Sequence, residues 1–321
     1  MTGGTGFVGT WLLESFAWLN ERLSLEAHMI VLSRSPELFR QRAPHLACLQ
    51  AIDFIEGDVR EFSWPDEKVD YVIHGAAQAD ARLNRDDPLL MLDTIVIGTR
   101  NVLEFSRARG IERFLFLSSG AVYGKQPQDI SHIPEDFPGA PDLVDGESAY
   151  GESKRLGELA CAIYHRRFRL HTVVARPFAL LGPYLNLDIH FAVGNFIRNG
   201  LQGGPIEVKG DGTPYRSYLY TADLAVWLWT LLLRGQPGSA YNVGSEHAVT
   251  IAELAHSVAG CFQPQPEVTI RMKADPTRPQ ERYVPSTERA RTQLGLLEHI
   301  GLNEALRRTI GWYHSSGVSG R

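Results

Sequence analysis

A tyrosine and a lysine four residues apart are the first pair in this chain that could do acid–base chemistry. Tyr150 and Lys154 lie in the segment 148–168, whose apolar periodicity predicts a helix. Residues i and i+4 share one face of a helix, so we expect the ammonium beside the phenol. A nearby cation lowers the pKa of a phenol from its usual value of about 10 and makes it a usable acid and base. An exposed tyrosine and a solvated lysine would show the same spacing, so the pair needs support from other motifs.

A hydroxyl that could act with Tyr150 follows the apolar run 114–117. Ser118 and Ser119 come directly after this run, which predicts a buried strand. The carboxyl ends of parallel strands face the crevice in which such sheets bind ligands. Ser119 is therefore a candidate to hydrogen-bond a substrate oxygen beside Tyr150. A serine that only forms a turn is the alternative interpretation.

The chain opens on a glycine-rich loop directly before a helical pattern. Glycines at 3, 6 and 9 are spaced for a tight turn, for close approach of a pyrophosphate and for close helix packing. The N–H groups at the start of the helix would then face the anion. A turn that serves only chain reversal is the alternative. The expected dinucleotide contacts in this loop are Gly3, Thr5, Gly6, Phe7, Val8 and Gly9.

Alternating strands and helices in the first half of the chain must position these residues. Apolar runs predict strands at 29–32, 51–55, 71–73, 114–117 and 172–175, and amphipathic segments predict helices at 10–20, 89–107 and 148–168. The alternation predicts an α/β fold with a doubly wound parallel sheet of the Rossmann type. The continuous hydrophobicity of the runs indicates strands that are buried on both faces.

Glycine and proline interrupt the chain more often after residue 176. We therefore expect a dinucleotide-binding domain at 1–176 and a smaller α/β substrate-binding lobe at 177–321. Helices are predicted within this lobe at 223–233, 250–259 and 288–294. The segment 215–235 is expected to return to the first domain.

Composition excludes several classes of protein. The 321 residues are 44% hydrophobic and 21% charged, which excludes a disordered or coiled-coil chain. A net charge of −5 provides no basic field for nucleic acid. Three scattered cysteines indicate neither a disulfide framework nor a metal cluster, and the longest apolar stretch, 224–233, is too short to span a bilayer. We expect a cytoplasmic protein without membrane or nucleic-acid partners and without a bound metal.

The amino end is unusual for this fold because only Met1 and Thr2 precede the glycine loop. Two residues cannot form a strand of the usual length of about 5–6 residues. The first strand of the sheet is therefore expected to be missing. We hypothesise that the native chain carries an apolar, β-branched segment before Met1.

The order of these motifs resembles the extended short-chain dehydrogenase/reductases, in the NAD-dependent epimerase/dehydratase branch that acts on nucleotide sugars. The resemblance runs from residue 3 to about residue 294. It implies hydride transfer at a sugar carbon, usually C4, with the cofactor NAD(P). Further motifs that fall in the family's order are Gly57-Asp58-Val59, His74-Gly75-Ala76-Ala77, Gly98-Thr99, Arg176, Gly182-Pro183, Gly210-Asp211-Gly212, Arg216, Asp223, Tyr241-Asn242-Val243-Gly244 and Arg278-Pro279.

The resemblance also implies roles for individual residues. Ser119, Tyr150 and Lys154 match the catalytic serine, tyrosine and lysine, with Lys154 holding the nicotinamide ribose and lowering the pKa of the phenol. Arg216 and Arg278 match positions that bind the diphosphate of the nucleotide, for which a planar guanidinium is well suited. Family analogy further implies a homodimer formed through two helices of the first domain. Additional cofactor contacts are expected from Asp58, Val59, Gly75, Ala76 and Ala77.

Three departures from the family pattern restrict the reaction. The 4,6-dehydratases carry an acidic pair directly after the catalytic hydroxyl, where this chain has Gly120 and Ala121. Neither residue can ionise, which argues against dehydration. Ile95 replaces an asparagine linked to a water relay at Lys154, and Ala179 replaces an asparagine that contacts the substrate.

The second predicted strand ends in Ser33-Arg34, where NAD-specific members carry an acidic residue. An arginine can accept a 2′-phosphate, which favours NADP over NAD, although it could also only stack on the adenine. An exchangeable NADPH favours a 4-ketosugar reductase over a 4-epimerase with tightly held NAD. A non-catalytic dinucleotide sensor is a third possibility, against which the intact serine, tyrosine and lysine argue.

Overall fold

The computed structural model describes residues 1–77, 81–188, 192–275 and 277–316, with only the backbone for Ala81 and Arg82. The chain divides into two compact units. Unit 1 comprises Met1–Val122, Ala140–Arg176 and Ala225–Tyr241, and unit 2 comprises Tyr123–Gly139, Pro177–Leu224 and Asn242–Arg321. Two segments differ from the division expected above. Residues 123–139 belong to unit 2, and the segment that returns to unit 1 is 225–241 in place of 215–235.

Helices and strands alternate through the first half of the chain, as the sequence predicts. The helices are α1 (Phe7–Leu23), α2 (Pro36–Arg42), α3 (Pro44–Ala47), α4 (Ala81–Asp86), α5 (Pro88–Arg109), α6 (Ala149–Phe168), α7 (Ala192–Leu201), α8 (Thr221–Arg234), α9 (Ile251–Ala259), α10 (Glu288–Leu294) and α11 (Leu302–Ser316). The strands are β1 (Met29–Ser33), β2 (Ile52–Glu56), β3 (Tyr71–His74), β4 (Arg113–Leu117), β5 (Thr172–Pro177), β6 (Leu180–Leu181), β7 (Ile206–Val208), β8 (Tyr215–Arg216), β9 (Leu219–Tyr220), β10 (Ala240–Val243), β11 (Val249–Thr250), β12 (Val268–Ile270) and β13 (Arg282–Tyr283).

The main sheet is built from parallel pairs. β1 pairs with β2, and the other strands follow in the order β10-β5-β4-β3, with β3/β4 and β4/β5 parallel. Helices cover both faces. Side chains of α1, α2 and α3 pack with β1 and β2 in one core cluster, and side chains of α5 and α6 pack with β3, β4 and β5 in another. The predicted doubly wound α/β fold is confirmed.

Met1 and Thr2 occupy the place between β1 and β3 where the first strand is expected. Thr2 forms parallel bridges to both Leu32 and His74. The Leu32 N–H donates to the Met1 carbonyl at 2.9 Å, and the Thr2 N–H donates to the Ile73 carbonyl at 3.0 Å. Two residues therefore join the two parts of the sheet through single bridges, without a full strand among the residues described.

The described residues of unit 2 form short strand pairings and the helices α7, α9, α10 and α11. β7 pairs with β12, β8 lies between β11 and β13, and β6 pairs with β9. Asn242 is fully buried and links separate segments of the unit. Its Nδ2 donates to the carbonyls of Ile133 (2.9 Å) and Ser286 (3.0 Å), and its Oδ1 accepts from the Tyr123 hydroxyl at 2.7 Å.

Two kinds of feature are absent from the part of the chain that the structure describes. None of its helices is long and apolar enough to cross a membrane. The same residues contain no cluster of three or more His, Cys, Asp or Glu side chains that could hold a metal ion.

Candidate functional site

The turn between Thr2 and α1 and the first turn of α1 each contain a position that only glycine fits. Gly3 has φ +72°, and a Cβ there would lie 2.5 Å from the Gly75 backbone. A Cβ on Gly9 would overlap the backbone of Gly3 and Gly4. These contacts place the start of α1 tightly against the turn, as the glycine spacing predicts.

The N-terminus of α1 is available for an anion. Gly6 is the N-cap residue, no side chain makes a capping hydrogen bond, and the first turn carries no acidic residue. The first N–H groups of a helix have no partner inside the helix, and those of Phe7 and Val8 belong to this set. A 17-residue helix that begins on a glycine turn fits a dinucleotide pyrophosphate.

The residues expected to contact the adenosine lie at the carboxyl ends of β1 and β2. The Ser33 and Thr5 hydroxyls are 3.1 Å apart, and Arg34 is exposed. Asp58 is held by Arg60, whose Nε and Nη2 donate at 3.0 and 2.9 Å. This hydrogen-bonded guanidinium lowers the pKa of the Asp58 carboxyl, and the charge of Arg34 adds to the lowering. Arg34 and Asp58 therefore interact electrostatically.

The loop after β3 is anchored by His74, the buried last residue of that strand. The Ala76 N–H donates to the Thr2 hydroxyl at 3.2 Å, and that hydroxyl is 2.7 Å from His74 Nδ1. His74 Nε2 is 3.0 Å from the Thr99 hydroxyl. Burial, assisted by the charges of Lys154 and the amino terminus, lowers the pKa of His74 to about 3. The ring is therefore neutral and links the loop to α5.

Three further expected cofactor residues are Gly75 and Ala77, in this loop, and Val59, after β2. Gly75 donates its N–H to the Thr2 carbonyl at 3.1 Å, and Ala77 is the last residue described before 81. Val59 is buried, and its side chain lies where a Cβ on Gly98 of α5 would be. The Gly98-Thr99 pair thus lets α5 approach the loop after β2.

Ser119 and Tyr150 are brought together in unit 1. Ser119 follows β4 at the start of a 3₁₀ turn, Gly120–Tyr123, and its hydroxyl accepts the Ala121 N–H at 3.1 Å. Tyr150 is the second residue of α6. The Ser119 side chain acts on the phenol to lower its pKa.

Lys154 lies one helical turn further along α6 and is buried. Its Nζ donates to the Leu117 carbonyl at 2.6 Å and lies 5.9 Å from the centre of the Tyr150 ring. Burial lowers the pKa of Lys154 to about 8, and the nearby Glu158 carboxylate opposes this shift. The ammonium is therefore still the main form at neutral pH.

The expected lowering of the Tyr150 pKa by Lys154 is wrong for this structure. Burial raises the pKa of the phenol above 10, and the opposing contribution comes from the Ser119 hydrogen bond. Lys154 directs its ammonium at a backbone carbonyl, which weakens its effect on the phenol. The phenol is accordingly protonated at neutral pH.

One feature of the site was missed from the sequence. Arg176 at the end of β5 forms a two-point ion pair with Glu158, with N···O distances of 2.9 and 2.6 Å. The Ser118 hydroxyl donates to the same carboxylate at 2.5 Å. Glu158 is four residues after Lys154 on one helix face, and this spacing was the available signal. The pair anchors the end of β4 next to Ser119.

The structure shows the surroundings of the four residues that depart from the family pattern. Gly120 and Ala121 form the 3₁₀ turn beside Ser119, so no ionisable group stands there. Ile95 is buried in the core with 1% exposure. Ala179 uses its carbonyl to accept the Leu219 N–H at 3.1 Å.

The two expected phosphate-binding arginines lie in unit 2. Arg216 on β8 donates to the Tyr215 carbonyl at 2.8 Å and lies 3.5 Å from Glu281. Arg278 is 80% exposed and lies 3.5 Å from Asp275. Neither lines a cavity of about 340 Å³ that the described residues of this unit enclose. That cavity, which the sequence did not reveal, is formed mainly by α7, β7 and the loop Gly210-Asp211-Gly212.

Comparison with known proteins identifies related chains. The model of the NAD dependent epimerase/dehydratase family matches residues 1–244. UDP-glucuronic acid decarboxylase 6 of Arabidopsis thaliana is 29% identical over 95% of this chain and 85% of that protein. UDP-glucose 4-epimerase of Thermus thermophilus, in complex with NAD, is 26% identical, with a TM-score of 0.82 and 98% of both chains covered. UDP-glucose 4-epimerase of Thermotoga maritima, with UDP-glucose, has a TM-score of 0.83 over 98% of both chains at 21% identity and shows the shared fold.

Proposed function

This chain belongs to the NAD-dependent epimerase/dehydratase family, and from that premise we propose that it is a nucleotide-sugar oxidoreductase whose favoured reaction is 4-ketosugar reduction. The observation that carries the proposal is the placement of Tyr150 and Lys154 one turn apart on α6: the Lys154 Nζ lies 5.9 Å from the centre of the Tyr150 ring and donates to the Leu117 carbonyl, two residues before Ser119. All three groups belong to unit 1, which also holds the glycine turn.

The chemistry of a reduction follows from these groups. When bound, a reduced nicotinamide would supply the hydride for the carbonyl carbon of the 4-ketosugar. Tyr150 donates its phenolic proton to the carbonyl oxygen, so that a hydroxyl forms, and Ser119 orients that oxygen. The raised pKa of Tyr150 suits this direction because the phenol holds its proton at neutral pH. Lys154, charged at neutral pH, binds the nicotinamide ribose.

The fit of the chain to a dinucleotide supports the cofactor. The glycine turn and the uncapped start of α1 suit the pyrophosphate. The exposed Arg34 at the end of β1 favours NADP, because a guanidinium binds a 2′-phosphate. In unit 2, Arg216 and Arg278 are proposed to hold the diphosphate of the nucleotide sugar.

A 4-epimerase is the second candidate, supported by the whole-length similarity to the 4-epimerase of T. thermophilus, which was solved with NAD. An epimerase recovers its cofactor in every turnover and keeps it bound. Dehydration is disfavoured because Gly120 and Ala121 offer no acid or base next to Ser119.

The deciding experiment is a mass-spectrometric screen of the purified protein. Nucleotide sugars, their 4-keto derivatives and UDP-glucuronic acid are each incubated with NADH, NADPH, NAD and NADP. A reductase converts a 4-ketosugar to a product two mass units heavier and oxidises one reduced cofactor. A product of unchanged mass, formed by protein that carries NAD from purification, would identify an epimerase. Loss of carbon dioxide from UDP-glucuronic acid, or cofactor binding without any turnover, would overturn both assignments.

A further inference from the structure

The helix that carries Tyr150 is capped by a residue from a distant part of unit 1. Ser148 is at the N-cap position of α6, but its backbone is helical (φ −74°, ψ −6°) and its side chain makes no capping bond. Instead, Oδ1 of Asn84 accepts the Tyr150 N–H at 3.0 Å, across 66 residues of sequence. Tyr150 is the second residue of α6, where N-cap side chains usually accept their bond.

The same asparagine makes a second bond to the backbone. Its Nδ2 donates to the carbonyl of Glu147, in the 3₁₀ turn that leads into α6. The Glu147 carbonyl and the Tyr150 N–H are the two groups of one i, i+3 pair. A side-chain amide carries a donor and an acceptor side by side, so Asn84 bridges both groups at once.

We propose that Asn84, on α4, is a positioning residue for Tyr150: it fixes the first turn of α6 and thereby holds the phenol against Ser119. This inference rests on the proposed function, because it takes Tyr150 as the proton donor. Geometry at such a group matters strongly, since a displacement of about 1 Å can lower a rate about 100-fold. Ser119 can act on the phenol only while the two side chains stay close together.

The chain offers a matched control in Asn20 at the end of α1. Its Oδ1 accepts the Ala27 N–H at 2.9 Å, and its Nδ2 donates to the Ala27 carbonyl at 3.1 Å. Asn20 thus has the same chemistry and the same two-bond bridge in the same unit, away from Tyr150 in sequence and in role. A general effect of losing such a bridge would appear equally in Asn20→Ala and Asn84→Ala.

Amide hydrogen exchange tests the bridge without any substrate. In Asn84→Ala, the Tyr150 amide is expected to exchange roughly 2- to 10-fold faster, the factor that corresponds to one lost hydrogen bond. Asn20→Ala should leave the Tyr150 amide unchanged and accelerate Ala27. Asn84→Asp retains an oxygen acceptor for the Tyr150 N–H and should restore its protection. Equal exchange of Tyr150 in Asn84→Ala and in the unsubstituted protein would overturn the proposal.

Kinetics test the effect on the phenol. Asn84→Ala is expected to lower kcat about 10- to 100-fold with little change in the KM for cofactor, while Asn20→Ala keeps kcat. In the direction of alcohol oxidation, the acid limb of the kcat/KM profile should move to higher pH, because the displaced phenol loses the influence of Ser119, which lowers its pKa. An unchanged profile and equal kcat in both variants would reduce Asn84 to a structural cap and overturn the positioning role. If the unsubstituted protein turns over no nucleotide sugar, the proposed function fails, and hydrogen exchange still decides the bridge.

Discussion

At Tyr150, two influences on the phenol act in opposite directions. Burial favours the neutral phenol, and the hydrogen bond from Ser119 favours the phenolate. Burial has the larger effect, so the residue is a proton donor at neutral pH. Lys154 remains mostly charged because Glu158 offsets part of its desolvation. In the proposed reduction the three side chains have separate roles: Tyr150 donates the proton, Ser119 orients the acceptor and Lys154 supplies positive charge.

The first prediction removes the proton donor. Tyr150→Phe keeps the ring and its packing but lacks the hydroxyl, so turnover should fall by about 10²–10⁴-fold while the cofactor still binds. Steady-state kinetics and cofactor titration measure the two effects separately. Tyr71→Phe, at an exposed tyrosine on β3, is the control and should retain full activity. Turnover above about a tenth of the original value in Tyr150→Phe would refute the assignment.

The second prediction concerns the choice of cofactor. Arg34→Asp places a carboxylate at the end of β1, where it repels a 2′-phosphate and accepts a hydrogen bond from a 2′-hydroxyl. The ratio of kcat/KM for NADP to that for NAD should therefore fall. Arg40→Asp, on α2 and paired with Glu37 at the surface, serves as a control for the added negative charge. An unchanged ratio in Arg34→Asp would leave this arginine only a stacking role.

At the scale of elements, the short connection between β1 and β3 also positions the loop after β3. Thr2 bridges β1 and β3 through single pairs, and its hydroxyl is bonded to His74. His74 continues to Thr99 on α5, which ties the loop after β3 to a long helix. Each of these bonds is made by a neutral imidazole. Protonation of the ring would make both nitrogens donors, so the hydroxyl that donates to the neutral ring would have to accept instead, and it would place a charge in the core.

The third prediction follows from the pKa of His74. The unfolded chain protonates this histidine below about pH 6.5, whereas the folded chain does so only near pH 3. Between these values the unfolded state binds more protons, so stability falls as the pH is lowered. From pH 7 to pH 5 the contribution is about 2 kcal/mol. Denaturant unfolding at both pH values should show this loss, and His74→Gln should show less of it.

The control for this pH dependence is the exposed His28, which lies 2.9 Å from Asp53. His28→Gln should keep the acid-dependent loss of stability seen in the unsubstituted protein. The absolute stability of His74→Gln is not the readout, because the substitution also alters the bonds to Thr2 and Thr99. Equal pH dependence in His74→Gln and His28→Gln would show that His74 does not cause the loss.

The sequence predicts the main sheet well because its strands are continuous apolar runs. The predicted segment 114–117 differs from β4 by one residue, and α10 has its predicted bounds. α7 and α11 were not predicted. Gly194 and Gly200 lower the helix propensity of α7, and packing of Gly200 against Phe262 compensates for it. Such a contact joins distant residues and has no signature in the local pattern.

In the candidate site, too, only the features that follow from local spacing could be predicted from the sequence. The shared face of Tyr150 and Lys154 follows from helical spacing and could be predicted. The direction of the pKa shift at Tyr150 depends on how much of the phenol is desolvated, which spacing does not reveal. The bridge from Asn84 joins residues 66 positions apart, so it is visible only after folding.

At the scale of the whole molecule, each unit is assembled from three separate segments of the chain. In unit 2, the Asn242 side chain donates to the carbonyl of Ile133, 109 residues earlier in the sequence, and to that of Ser286, 44 residues later. Its amide satisfies three backbone or side-chain partners in a fully buried position. Loss of one partner of a buried hydrogen bond costs about 1–3 kcal/mol, so Asn242 stabilises the packing of these segments against one another.

Unit 1 presents an apolar surface on α6 that suggests a second copy of the chain. Leu156, Leu159 and Ile163 are spaced along one face of α6 and are 46%, 56% and 47% exposed. α5 packs against α6 and exposes Ile97 to 47%. Apolar side chains grouped in this way mark interaction surfaces, and two-fold symmetry lets one such surface pair with itself. We propose that the protein is a homodimer formed through α5 and α6.

The last prediction tests this dimer with one charge. Leu159→Glu places a carboxylate at the most exposed apolar position of the α6 face, where two-fold pairing would bring two such charges close together in an apolar contact. Burying an unpaired charge is strongly unfavourable, so the variant should sediment as a monomer at concentrations where the unsubstituted protein is a dimer. Leu233→Glu, at a leucine of α8 that is 52% exposed, adds the same charge elsewhere and should leave the dimer intact. Sedimentation velocity over a range of concentrations gives the masses directly. A monomeric unsubstituted protein, or a Leu159→Glu variant that remains a dimer, would show that these two helices are not the interface.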